Sequence, residues 1–117
     1  MERRKSPRIR VASSIPMRIE FLQCLDTALV GRVLDLSETG VRFKIERQGI
    51  MKGLSAGRLI LEYPNLEDIQ VDITITRADS SNAEYGACFL HPEKDFQDEL
   101  EKILEREAEL FYRIPQN

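Results

Sequence analysis

Apolar and polar residues alternate without a break from Ile69 to Thr76. Ile69, Val71, Ile73 and Ile75 fall on one parity, and Gln70, Asp72, Thr74 and Thr76 on the other. A period of two sends successive side chains to opposite faces, so this stretch predicts a strand with one buried and one solvated face. Weaker versions of the pattern surround it. Met17, Ile19 and Phe21 alternate within 17–22, Val41, Phe43 and Ile45 alternate with Arg42, Lys44 and Glu46, Leu59, Leu61 and Tyr63 form a further run, and Tyr85, Ala87 and Phe89 form the last. Between Ala28 and Leu36 the parity is mixed: Val30, Leu34 and Leu36 share one and Leu29 and Val33 the other. Gly31 in that strand reads as a bulge or a close-packing point. Turn-forming residues separate the runs at Ser37 to Gly40, at 47–57, at Pro64-Asn65 and at Asp79 to Asn82.

The period changes after His91-Pro92. Phe96, Leu100, Ile103, Leu104, Leu110 and Phe111 fall near helical spacing. They predict an amphipathic helix that starts between Pro92 and Asp95, runs to about Tyr112 and stops before Pro115. Asp98, Glu99, Glu101, Glu105, Glu107 and Glu109 read as its solvated face. Some six short strands followed by one helix predict a mainly β chain, a small antiparallel barrel or sandwich with the helix across an open end or face.

Composition narrows the function. The chain has 117 residues, enough for one domain and too few for a second core. No apolar run approaches the roughly 20 residues that span a bilayer, and no apolar stretch of signal-peptide length follows the basic N-terminus. The expectation is a cytoplasmic protein with no membrane insertion. Cys24 and Cys88 fit neither a zinc knuckle nor a CxxC pair, and both read as small buried side chains. The single histidine, His91, reads as a cap or surface residue. With no nucleophile elbow, metal cluster or phosphate-cradling glycine loop, the chain is expected to be neither an enzyme nor a metal or cofactor protein.

Charge is unevenly placed. The net charge is −3, yet Arg3, Arg4, Lys5, Arg8 and Arg10 face only Glu2 in the first ten residues. Segment 1–14 reads as a flexible basic arm, 15–91 as the β domain and 92–113 as the helix. Arg4 and Arg8 stand four apart with Pro7 between them. A guanidinium offers a planar fork that matches phosphate oxygens and can also stack on a base. The alternative is a solvated tail. A second motif, Asp35-x-Ser37-x-x-Gly40, lies at a strand-end turn. Asp35 is an acceptor suited to a guanine edge, Ser37 can reach a phosphate or a purine edge, and Gly40 can take a positive φ or admit a close neighbour. The alternative is a turn in which Asp35 and Ser37 bond only to backbone.

In combination and order the two motifs resemble the PilZ domain family. Arg4 and Arg8 match its Arg-x-x-x-Arg, and Asp35, Ser37 and Gly40 match its Asp/Asn-x-Ser-x-x-Gly. The resemblance extends over the Tyr85 to Phe89 strand and the terminal helix. It implies a six-stranded antiparallel β-barrel with a C-terminal helix, acting as a receptor for cyclic di-GMP. Arg4 and Arg8 would hold phosphates and stack on guanine, Asp35 and Ser37 would read a guanine edge, and Gly40 would leave room. Arg3, just before the motif, favours two intercalated ligand molecules over one. Arg10, Arg42 and Arg77 are lesser candidates for ligand contact, exposed strand arginines being the plainer reading. The partners implied are cyclic di-GMP and a separate downstream protein, with the chain a monomer or a homodimer. A ligand-independent PilZ-like adaptor is the alternative, and the two intact motifs argue against it. A single-stranded nucleic-acid barrel is disfavoured, because the few aromatics fall at core positions and the net charge is acidic.

Overall fold

The computed structural model describes residues 8–11, 15–21, 24–45, 56–79 and 81–113. The strands are β1 (Ile9–Arg10), β2 (Pro16–Phe21), β3 (Cys24–Leu36), β4 (Gly40–Ile45), β5 (Ala56–Leu61), β6 (Ile69–Asp79) and β7 (Glu84–Leu90), and the helix is α1 (Lys94–Arg113). All pairings are antiparallel. The order β3-β2-β5-β6-β7-β4 closes on itself through β3–β4, which makes a six-stranded barrel, and β1 adds to the end of β3 beside β2. Closure removes the exposed edges that a six-stranded open sheet would carry. The expected six-stranded barrel with its terminal helix is present.

The interior is filled by the alternating residues. Ile19, Phe43, Leu59, Leu61 and Ile73 are fully enclosed. The β4, β6 and β7 patterns hold as predicted from the sequence. The mixed parity of β3 has a structural cause. Leu29 and Val33 point inward, Val30 is 52% exposed, and a register shift between Val33 and Asp35 leaves Leu34 as the extra residue of a bulge. After the bulge the faces exchange, so Leu36 points inward and Asp35 pairs across from Arg42 on the outer side. Gly31 is the close-packing point rather than the bulge: a Cβ there would lie 2.1 Å from the Lys44 carbonyl oxygen.

The helix lies on the barrel and packs against β1 and β6. Phe96, Leu100 and Ile103 enter the barrel core, with Phe96 edge-on to Phe89 at 5.1 Å. One expectation fails here. Glu107 is fully buried, on the same stripe as Phe96, Leu100 and Ile103, and accepts a hydrogen bond from the Tyr63 hydroxyl. Spacing of four and three places it inward whatever its charge, and the tyrosine supplies the donor. A second expectation fails at Cys88, which is exposed. Its neighbours Ala87 and Phe89 occupy the inward parity of β7, and Cys88 therefore faces out. The side chains of Cys24 and Phe111, most of the 47–57 loop, and Pro115 lie outside the described residues.

Candidate functional site

The motif turn is built locally. The Ser37 hydroxyl accepts from the Thr39 and Gly40 amides at 3.3 and 3.2 Å, and the Ser37 amide donates to the Gly40 carbonyl at 3.0 Å. Ser37 is buried within this turn. Gly40 has no side chain where the Ala87 carbonyl oxygen would lie 2.4 Å from a Cβ, and that close approach lets β4 pair with β7. The turn thus holds the start of β4 in register, and with it Arg42.

Asp35 behaves differently from Ser37. Its Oδ1 accepts from Arg8 Nη1 at 2.8 Å, and its Oδ2 accepts from Arg42 Nε at 2.7 Å. Its side chain is only 11% exposed, because the two guanidinium groups cover it. A second bond runs from Arg42 Nη1 to Glu84 Oε1 at 2.9 Å. The Asp35 bond foremost, with help from Glu84, holds Arg42 above the ordinary guanidinium range, against the opposing effect of burial.

Register shows why these residues meet. Arg10 pairs with Asp35, Asp35 with Arg42, Arg42 with Gly86, and Gly86 with Arg77. They form one row across β1, β3, β4, β7 and β6. Asp35 and Arg77 join it by the same device. Each would continue the inward parity of its strand, and a one-residue shift (between Val33 and Asp35, and between Ile75 and Arg77) turns each outward. Gly86 stands between the two arginines of β4 and β6 with no side chain, which leaves a gap in the row.

That gap is part of a cavity of about 410 Å³, lined by Arg8, Arg42, Arg77, Asp79, Glu84 and Gly86 among others. The Arg77 side chain has no ion-pair or hydrogen-bond partner among the described residues, whereas those of Arg8 and Arg42 are partnered by carboxylates. Asp79 is occupied by its own turn. Hydrogen bonds from the Ser81 hydroxyl and then from Asn82 hold its carboxyl below the ordinary aspartate range. Of the residues singled out in the sequence, Arg8, Asp35, Arg42 and Arg77 therefore come together. Ser37 and Gly40 shape the adjoining turn. Arg10 pairs with Asp35 through backbone register without lining the cavity, and Arg3 and Arg4 lie outside the described residues. Sequence reasoning missed Glu84 and Gly86. A glycine inside an alternating strand was the available signal for Gly86, whereas Glu84 carried none.

Comparison with known proteins agrees with this architecture. The family model described as "PilZ domain" matches residues 2–106. The PilZ domain of YcgR from Escherichia coli, solved with c-di-GMP, is 19% identical with a TM-score of 0.72, covering 97% of this chain and 100% of that one. The PilZ domain of CeSA from a cellulose-synthesizing bacterium is 15% identical with a TM-score of 0.63, covering 86% and 96%. K. pneumonia MrkH in its apo state is 15% identical with a TM-score of 0.73, and here the 97% of this chain that aligns spans 53% of that one. No curated protein matches the sequence. With the barrel, the helix and a family model over most of its length, the chain belongs to the PilZ domain family.

Proposed function

We propose that the chain is a non-catalytic receptor for cyclic di-GMP, bound over the row Asp35–Arg42–Gly86–Arg77, and that it signals by ordering its basic arm and associating with another protein. The observation that carries this reading is the Arg77 guanidinium, without a side-chain partner among the described residues, facing Arg42 across the side-chain-free Gly86, with Arg8 on the same cavity. Three guanidinium groups around one opening suit a ligand with two phosphates, and the cavity volume lies within the usual range for small-molecule sites. A relative of the same fold was solved with this ligand.

In this reading each residue has a distinct role. Arg8 exchanges Asp35 for a phosphate and stacks on a guanine, and Asp35 then presents Oδ1 to the guanine edge. Arg42 and Arg77 hold the remaining phosphate charge. Ser37 and Gly40 keep the turn that aims Asp35, with Ser37 adding a contact where the turn opens. Arg4 would share phosphate contact and guanine stacking with Arg8, and Arg3 would favour a second, intercalated ligand. Ordering the arm costs conformational entropy, which charge-assisted hydrogen bonds offset. The arm contains β1, on which α1 rests, so ligand occupancy is felt at the helix surface.

Calorimetric titration with cyclic di-GMP tests this reading. Binding at two ligands per chain is expected, and Arg8→Ala is expected to weaken it about tenfold or more, the scale of a lost charged hydrogen bond. One ligand per chain rules out the intercalated pair, and an unchanged affinity in Arg8→Ala rules out the site. The adaptor reading has one observation in its favour: both Asp35 oxygens are satisfied within the chain. A thermal shift on adding cyclic di-GMP separates the two, since only a bound ligand raises stability by mass action.

A further inference from the structure

Among the described residues, Arg42 is the one cavity arginine held by two carboxylates, and the two are not equivalent. Asp35 sits in the row itself and has a use in the binding reading, as acceptor for a base. The binding reading assigns Glu84 no such use. It stands two residues before Gly86 on the same face of β7 and lines the same cavity, where it adds a negative charge. Among the described residues its side chain is bonded to Arg42 alone. A phosphate that approaches Arg42 meets a guanidinium whose Nη1 is already occupied at 2.9 Å, with a negative charge beside it.

We propose that Glu84 sets the affinity and salt sensitivity of this site by competing with the ligand's phosphate for Arg42. The proposal rests on the reading of the cavity as an anion site for cyclic di-GMP. In the empty state Glu84 and Asp35 together hold the Arg42 side chain in place, one on each side, which keeps it extended across the row toward Gly86. On binding, phosphate oxygen takes the Glu84 position on Arg42, and the carboxylate is left to solvent. The strand stays in register through this exchange, because Glu84 is paired to Lys44 and Asp79 by backbone. Glu84 is thus a positioning residue for Arg42 and a charge that opposes an anionic ligand. A ligand must supply negative charge at that spot to displace it, which favours a cyclic dinucleotide, with two singly charged phosphodiesters, over a cyclic mononucleotide with one.

The test is titration calorimetry of the full chain with cyclic di-GMP, comparing wild type, Glu84→Gln and Asp98→Asn at low and high salt. Glutamine keeps the acceptor for Arg42 and removes the charge. Asp98 lies on α1, paired with Lys94 away from the cavity, and its substitution changes net charge by the same amount. Glu84→Gln is expected to bind about fivefold tighter, the upper scale of a partly exposed ion pair. Asp98→Asn is expected to match wild type, and the gain in Glu84→Gln should shrink as salt screens the lost repulsion. Binding by Glu84→Gln alone would also support the proposal. If wild type binds and Glu84→Gln binds equally or more weakly, the competition is wrong and the receptor reading stands. If neither binds, the receptor reading and the role of Glu84 fail together. Thermal melts confirm folding, and Glu84→Thr, a strand-favouring residue, serves should the glutamine variant melt early.

Discussion

Single residues in this barrel are constrained by what an added or lost atom would meet. Gly31 and Gly86 both sit in mid-strand, and from sequence they look alike. A Cβ on Gly31 would collide with the Lys44 carbonyl at 2.1 Å, whereas a Cβ on Gly86 would meet nothing nearer than the Arg77 Cβ at 3.5 Å. Gly31→Ala is therefore expected to cost about 1–3 kcal/mol, the usual range for overpacking. Gly86→Ala is expected to leave stability close to wild type, since 3.5 Å is ordinary contact. Urea denaturation of both variants decides the matter, and equal losses would mean that the Gly31 backbone can relax. Asp35 shows the opposite kind of constraint. Its residue type announced an acceptor, but a strand pattern cannot say that two guanidinium groups from β4 and from before β1 would take both oxygens.

At the scale of elements, two kinds of irregularity matter more than the regular pattern. The β3 and β6 bulges each turn a charged residue out of the inward parity, and without them Asp35 and Arg77 would face the core. The mixed parity of Leu29, Val30, Val33 and Leu36 carried the β3 bulge in plain view, although it pointed to Gly31. The β6 bulge was hidden, because Thr76 and Arg77 continue the polar character of the strand end. In α1 the irregularity is chemical. Position and spacing made the helix legible, but the fourth place on its buried stripe is Glu107. Its partner Tyr63 lies 44 residues earlier, beyond β5, so only folding brings the pair together. Tyr63→Phe removes a donor from a buried carboxyl and is expected to destabilise the protein by about 1–3 kcal/mol. Chemical denaturation measures this, and a loss near zero would show that the other interactions of Glu107 suffice.

For the whole molecule, the important adjacency is that of arm, barrel and helix. Arg8 touches Asp35, Ile9 and Arg10 pair with Leu36 and Asp35, and α1 packs on β1. Ligand that captures the arm should therefore slow amide exchange in β1 and in the helix turns resting on it, while β5 on the far side of the barrel stays unchanged. Hydrogen-exchange mass spectrometry with and without cyclic di-GMP reads this. Protection confined to the 35–42 turn would show that the helix does not sense the ligand. The amino-acid sequence by itself determined the six barrel strands, the terminal helix and the two motifs that resemble the PilZ family, because periodicity and turn chemistry are local properties; the short β1, read as arm, it did not. Only the tertiary structure decided that Arg42 and Arg77 face each other across Gly86, that Glu84 shares Arg42 with Asp35, and that Glu107 is enclosed. Those relations depend on register between strands distant in sequence, and a shift of one residue reverses which face each side chain takes.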